Sequence, residues 1–227
     1  MAGRQLASVG ELAASIAHEL NNPLAIVALM TESLLEQAPE GDPRHHDLEV
    51  IDKEIERMGK HVARLLQFSR RSQPQISTVD VTEEISNTLD LVQNHLHNRS
   101  INVVTEFQPG IGKIQADREQ LRQLCLNLLT NAADAMPKGG TVAVRVVPCS
   151  INGGSPALGI EFADTGTGIA SEDLARIMEP FYTTKPEGQG TGLGLAICKR
   201  IVQEHHGVLE IASAVGQGTT VRSSLPI

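Results

Sequence analysis

Four groups of residues combine types and spacings that could do chemistry. The first is His18-Glu19-Leu20-Asn21-Asn22-Pro23. His18 and Asn22 are four apart, so on a helix they share a face, and Glu19 can reach one imidazole nitrogen. A carboxylate bonded to one ring nitrogen fixes the tautomer and leaves the other lone pair nucleophilic. The second is Asn127-Leu128-Leu129-Thr130-Asn131, two carboxamides one helical turn apart and opposite a face of Leu121, Leu124, Leu128 and Leu129. An amide oxygen can bind Mg²⁺ without adding charge, and Mg²⁺ takes few protein ligands when phosphates and water supply the rest. The third is Asp164-Thr165-Gly166-Thr167-Gly168-Ile169, a carboxylate at a strand end where glycines let backbone approach a flat ring. The fourth is Gly188-Gln189-Gly190-Thr191-Gly192-Leu193-Gly194-Leu195, running into a helix, where backbone amides and the helix N-terminus favour anions. Just before it, in Phe181-Tyr182-Thr183-Thr184-Lys185, Lys185 could reach a terminal phosphate and Phe181 could anchor a mobile lid.

Taken singly, each group has an ordinary reading: a surface histidine, a solvated helix face, an Asp-Gly turn. The glycine run is not the GxGxxG of a dinucleotide-binding turn, and no GK[ST] phosphate loop is present. The other histidines, including His45-His46 and His205-His206, read as surface residues.

These groups need elements to position them. From Leu6 to Leu35 apolar residues recur mostly at spacings of three and four, which predicts an amphipathic helix, kinked at Pro23. Residues 38–43 read as a turn, and Leu48, Ile51, Ile55, Met58, Val62, Leu65 and Leu66 mark a second helix. A hairpin of two helices bares one apolar stripe, and two hairpins bury both as a four-helix bundle. Residues 1–72 are therefore expected to form a homodimer; the other reading packs the hairpin on its own C-terminal domain. Residues 73–78, with Pro74, read as a linker. Over 79–227 strands and helices mix. Helices are predicted at Val81–Leu96, Asp117–Met136 and Thr191–His206, and strands at Ile101–Phe107, Thr141–Val147, Leu158–Ala163, Val208–Ala212 and Thr219–Leu225. The late hairpin-like strands point to an α/β sandwich rather than a doubly wound parallel sheet.

With 227 residues, 41% hydrophobic and 20% charged, the chain can bury a core and is too apolar for disorder. Nineteen basic against 27 acidic residues give a net charge of -8, which argues against a nucleic-acid partner, as do aromatics at 2%. No run approaches the roughly 20 apolar residues that span a bilayer, and the first residues lack a signal-peptide layout, so a cytoplasmic chain is expected. Cys125, Cys149 and Cys198 are odd in number and widely spaced, and read as buried free thiols.

The order of the four groups is more specific than any of them alone. SIAHELNNPL, NLLTNAADAM, DTGTGI, EPFYTTK, GTGLGLAI and the late Gly216-Gln217-Gly218-Thr219 together resemble the H, N, first Gly, F, second Gly and third Gly boxes of the sensor histidine kinases of two-component signalling. The resemblance covers nearly the whole chain. It implies an α + α/β architecture: an antiparallel helical hairpin forming a dimeric four-helix bundle (1–72, dimerisation and histidine phosphotransfer), then an α/β sandwich of the gyrase/Hsp90/histidine-kinase ATPase type (79–227). ATP and Mg²⁺ are the implied cofactors.

Residue by residue, the resemblance implies that His18 is the phosphorylated nucleophile and Glu19 its neighbouring base. It makes Asn131 the Mg²⁺ ligand, with Asn127 supporting. Asp164 would accept from the adenine amine, helped by Thr219, while Gly166 and Gly168 would shape the adenine pocket, with Ile169 in the same cofactor-binding set. Gly190, Gly192 and Gly194 would wrap the phosphates, with Thr183, Thr184, Lys185, Thr191 and Leu193 in the same set. The implied partner is a response regulator whose aspartate takes the phosphoryl group, and Asn22 implies a second activity, regulator dephosphorylation. In ATP-hydrolysing relatives a Glu one turn before the metal-binding Asn activates water; here that place is Asn127, whose amide cannot take a proton. Two other readings are a non-catalytic, ATP-gated dimeric scaffold and an ATPase of the related class. The chain is expected to be a catalytic core whose upstream sensor domain is absent and whose parent could be membrane-tethered.

Overall fold

The computed structural model describes Leu20 and residues 23–38, 41–69, 74–108, 110, 113–151, 153–186 and 190–227. The chain divides into two compact units, residues 1–72 and 73–227. His18, Glu19 and Asn22 lie outside the described residues, as do residues 21–22, on which the kink at Pro23 turns.

In the first unit, helix α1 runs over residues 23–37 and helix α2 over Pro43–Ser69. The turn between them holds Gly41 at φ +91°. Asp42 opens α2: its carboxylate accepts the Arg44 backbone N–H at 2.8 Å and pairs with the Arg44 guanidinium at 2.7 Å, while Pro43 takes the first helical position. The Arg44 side chain and backbone bonds hold the Asp42 carboxyl down at about 2. Ile55 and Val62 are buried, yet Ile26, Val27, Met30 and Leu34 on α1 and Val50, Ile51 and Met58 on α2 are exposed. Within a single chain, then, much of the apolar stripe stays uncovered. No described helix is long and apolar enough to cross a membrane.

The second unit is built on a five-stranded sheet ordered β2-β4-β5-β7-β6, where β2 is Ile101–Phe107, β4 Gly140–Ile151, β5 Ser155–Asp164, β6 Val208–Ser213 and β7 Thr219–Pro226. Only β2 and β4 pair in parallel. Period-two alternation gives the sheet two faces. Val142, Val144, Val146, Ile160, Phe162 and Val221 form the buried face. On the other face Glu106, Arg145, Glu161, Arg222 and Glu210 stand in register across all five strands, alternating in charge; Arg145 bonds Glu106 at 2.8 Å and Glu161 at 2.9 Å. Helices α3 (Val81–Asn98), α4 (Arg118–Ala135) and α6 (Gly194–Glu204) complete the α/β sandwich, and a four-residue helix, α5 (Ser171–Leu174), precedes the glycine-rich segment.

Helix α4 is the best-anchored positioning element. Asp117 caps it, accepting the Gln120 N–H at 3.0 Å and the Gln75 N–H at 2.7 Å. Leu121, Leu124, Leu128 and Leu129 are all at most 3% exposed, the face read from their spacing. On α3, Glu84 is 1% exposed and its charge is met by Arg122 at 2.9 Å and Arg118 at 3.2 Å, which locks α3 to α4.

Three features differ from the sequence reading. Ile76–Val79 is a strand, β1, paired antiparallel with β3 (Ile114–Asp117), although residues to 78 read as linker. Four-residue strands are too short for periodicity to register. Helix α6 starts at Gly194 rather than Thr191 because Gly192 sits at φ +64° and its carbonyl is taken by the Phe181 N–H. Finally, His205 is not a surface residue. It is 5% exposed, its Nε2 accepts the Asp117 N–H at 2.9 Å, and its Nδ1 lies 2.8 Å from the Ile201 carbonyl, so it is a neutral core histidine of fixed tautomer. Of the cysteines, Cys125 and Cys198 are buried and Cys149 is partly exposed; burial pushes the Cys125 thiol up to about 12.

Candidate functional site

At the end of β5, Asp164 bends back on its own turn. One oxygen, Oδ1, accepts the Gly166 N–H at 2.8 Å and the Thr219 N–H at 3.2 Å. Among the described residues none donates to Oδ2. Burial raises the Asp164 carboxyl above the usual carboxylate range, against the pull of those two amides. The backbone around it is crowded. A Cβ on Gly166 would stand 2.6 Å from the Ala135 carbonyl oxygen, and one on Gly168, at φ +69°, 2.0 Å from that of Ala214. Ser213 ties the notch together: its hydroxyl takes the Ile169 N–H at 2.9 Å, donates to the Gly218 carbonyl at 2.8 Å, and lies 2.9 Å from the Thr219 hydroxyl. A hydrogen-bonded carboxylate with a spare oxygen, flanked by side-chain-free backbone, is suited to a flat ring bearing an exocyclic amine.

The second part of the site lies where α4 meets α6. A Cβ on Gly194 would stand 3.5 Å from Asn131 Nδ2, so the Asn131 carboxamide abuts the first turn of α6. No side chain caps α6, whose first-turn amides are thereby available to an anion. One turn earlier, Asn127 Oδ1 accepts from Gln123 at 3.1 Å, and its side chain also meets the buried Cys198 thiol. Leu193 is 2% exposed and pins the glycine-rich segment to the core.

The third part is the segment holding Phe181–Lys185 and Gly190–Gly194. Phe181 adopts φ +68°, and its N–H bonds the Gly192 carbonyl at 2.9 Å. A Cβ on Gly192 would lie 2.3 Å from the Phe181 carbonyl carbon, so both glycine conformation and glycine size are required there. Gly190 lies against Thr183 and the Lys185 stem, and Thr183 Oγ1 accepts the Lys185 N–H at 3.2 Å. Thr184 is exposed and Thr191 partly so. Lys185 Nζ is held by Asp134 Oδ2 at 2.7 Å, and the other Asp134 oxygen takes Arg99 at 2.8 Å. Burial favours a raised Asp134 carboxyl, but these two cations outweigh it and lower it.

The structure thus brings Asp164, Gly166, Gly168, Ile169 and Thr219 into one notch, and Asn131 against Gly194. Lys185 it gives to Asp134. Sequence reasoning missed Ser213, Asp134 and Arg99, and held Gly218 only as part of the third Gly box. Asp134 carried a signal, since it lies one turn beyond Asn131; Ser213 carried none. The donor set fits the implied groups: an amide oxygen at Asn131, uncapped amides at α6 and a glycine-cleared notch. Among the described residues no three His, Cys, Asp or Glu side chains gather around a point, and a phosphate-borne Mg²⁺ needs no such cage.

Comparison with known proteins agrees with this geometry. Residues 8–74 match the "His Kinase A (phospho-acceptor) domain" family and residues 116–227 the "Histidine kinase-, DNA gyrase B-, and HSP90-like ATPase" family. The sensor histidine kinase ZraS of Klebsiella oxytoca is 34% identical over 98% of this chain and 47% of its own. The chain spans about half the length of the curated relatives it matches, or less. The full-length ShkA structure in complex with AMPPNP superposes with a TM-score of 0.79 at 26% identity, over 96% of this chain and 46% of that one. The mycobacterial sensor histidine kinase MprB is 31% identical, with a TM-score of 0.57 over 66% of this chain and 97% of its own. With a phospho-acceptor helical region, a mixed-sheet ATPase domain and every box in order, the chain belongs to the two-component sensor histidine kinases.

Proposed function

We propose that this chain is an ATP-dependent histidine autokinase, and the Asp164 notch is the observation that carries the reading. The unengaged Asp164 oxygen recognises the adenine amine, and Gly166 and Gly168 keep Cβ atoms away from the ring. Asn131 supplies an amide oxygen to Mg²⁺, with Asn127 beside it; when bound, the metal neutralises phosphate charge. The α6 amides would meet the same phosphates, and Lys185 would join them on leaving Asp134. The lone pair of one His18 nitrogen attacks the γ-phosphorus as the bond to the ADP oxygen breaks; ADP leaves with that electron pair, and a proton is lost from the other ring nitrogen to Glu19. Because Asn127 is no base, water competes poorly for the same phosphorus.

The uncovered stripe on α1 and α2 supports a homodimer through residues 1–72, and the phosphohistidine is read as the donor to an aspartate of a response regulator. Asn22, four residues after His18, is read as the side chain that would orient water for the reverse task, removing phosphate from that regulator. A cytoplasmic location suits all these partners. The test is incubation with labelled ATP and Mg²⁺. The wild type should gain an acid-labile, alkali-stable phosphate that His18→Gln lacks while still binding nucleotide, and Asn22→Ala should slow regulator dephosphorylation. Steady phosphate release without labelled protein would mean an ATPase, and nucleotide binding without either would mean a scaffold.

A further inference from the structure

Two cations from different elements converge on one carboxylate. Lys185 comes from the segment before the glycine run, Arg99 from the end of α3, and each takes its own oxygen of Asp134 at 2.7 and 2.8 Å. Asp134 lies three residues beyond Asn131 on α4, so it is a neighbour of the proposed phosphate site along the same helix. The pair is not sealed in the core. Lys185 is 34% and Asp134 26% exposed, and both line an open polar cleft with Arg99, Ser100, Lys138 and Pro186. An ion pair at that exposure exchanges readily. Arg99 makes the exchange cheap: if Lys185 leaves, Asp134 keeps a charged partner and is not stranded.

We infer that Asp134 is a positioning residue, an internal competitor that occupies Lys185 until a nucleotide phosphate displaces it. This rests on the nucleotide reading above and extends it to how phosphate affinity is set. A terminal phosphate offers more negative charge and more acceptor oxygens than a carboxylate, so it can win Lys185, whereas a nucleoside cannot. Asp134 therefore lowers affinity for phosphate-bearing nucleotides and leaves the base contacts untouched.

Calorimetric titration of the whole chain with adenosine and with ATP tests this, with Mg²⁺ and again in chelator so that any metal ligation by Asp134 is separated. Asp134→Asn keeps the shape and removes the charge. It should tighten ATP by about threefold to tenfold, the worth of a part-exposed ion pair, and leave adenosine unchanged. In a Lys185→Met background the same substitution should change neither, because the competition is gone. Asp134→Ser serves as a second variant if the first folds poorly. Weaker ATP binding by Asp134→Asn, or the same gain with and without Lys185, overturns the inference. A wild-type chain that binds neither ligand sinks the nucleotide reading itself, and this inference with it.

Discussion

The Asp164 notch and the Lys185 segment belong to the same unit and the same proposed ligand, yet they are built on opposite plans. The notch is closed by backbone. Its carboxylate is held by two amides, its serine satisfies three neighbours, and its glycines clear backbone atoms that cannot move. The Lys185 segment has one backbone closure, the Phe181 N–H on the Gly192 carbonyl, and is otherwise closed by side chains: a lysine and an arginine on one aspartate, a threonine under Gly190, a tyrosine on Asp173. A pocket for an invariant ring gains from being preformed, while a site that must accept and release a changing phosphate chain gains from contacts that can be swapped.

The sharpest break of this contrast is a methyl group at each end. Gly168→Ala would set a Cβ 2.0 Å from a backbone carbonyl oxygen at φ +69°, where neither partner can give. It should destabilise the unit by about 2–4 kcal/mol and lower Tm by roughly 5–15 °C, read by calorimetry, with adenosine binding lost. Gly190→Ala meets only Thr183 Oγ1 at 2.5 Å and the Lys185 stem beyond 3 Å, at an ordinary φ. Its Tm should stay near wild type. If both behave alike, the notch is no more rigid than the segment.

Next in size is the carboxylate itself. In Asp164→Asn the oxygen can still accept from Gly166 and Thr219, but the amide then points a donor at a donor. Adenosine, ADP and ATP should all weaken by about tenfold to a hundredfold, equally, because only the base is misread. Stability should not fall. Burial raises the folded carboxyl's pKa, so it is the protonated group that favours the fold, a contribution present at low pH and lost as pH rises through the folded value, and the ionised group is a cost to the fold. Removing the charge at neutral pH therefore costs the fold nothing. By the same sign, wild-type adenosine binding should weaken on acidification, from a pH above the ordinary carboxylate range. A loss confined to ATP would place Asp164 at the phosphates instead.

How much of this was legible follows the same division. The Leu121–Leu124–Leu128 face, the Asp117 cap and the strand pattern of β4, β5 and β7 are local, and period and composition expose them. The notch was half legible: Asp164 and its glycines lie within five residues, but Ser213 joins them from 49 residues away and has no local mark. The Asp134 pairings were not legible, because they join α4 to the end of α3 and to a loop, and tertiary pairing of charges leaves no period in the chain. His205 failed for the same reason. A His-His pair at a helix end reads as solvated, and only the fold brings the Asp117 N–H to its ring.

The smallest expected effect probes the hinge between the two plans. Tyr182 follows Phe181, donates its hydroxyl to Asp173 at 2.5 Å, and lies under the Arg176 guanidinium, 4.2 Å from the ring centroid. Tyr182→Phe keeps the ring under Arg176 and removes only the hydroxyl. Since this clasp tethers the Lys185 segment to α5 but touches no part of the notch, adenosine affinity should be unchanged and ATP affinity should shift by less than about threefold. Asp173→Asn should do the same. Equal losses for both ligands would mean that the tether reaches the notch, and the two regions would then be one cooperative structure rather than a fixed socket beside an exchangeable clasp.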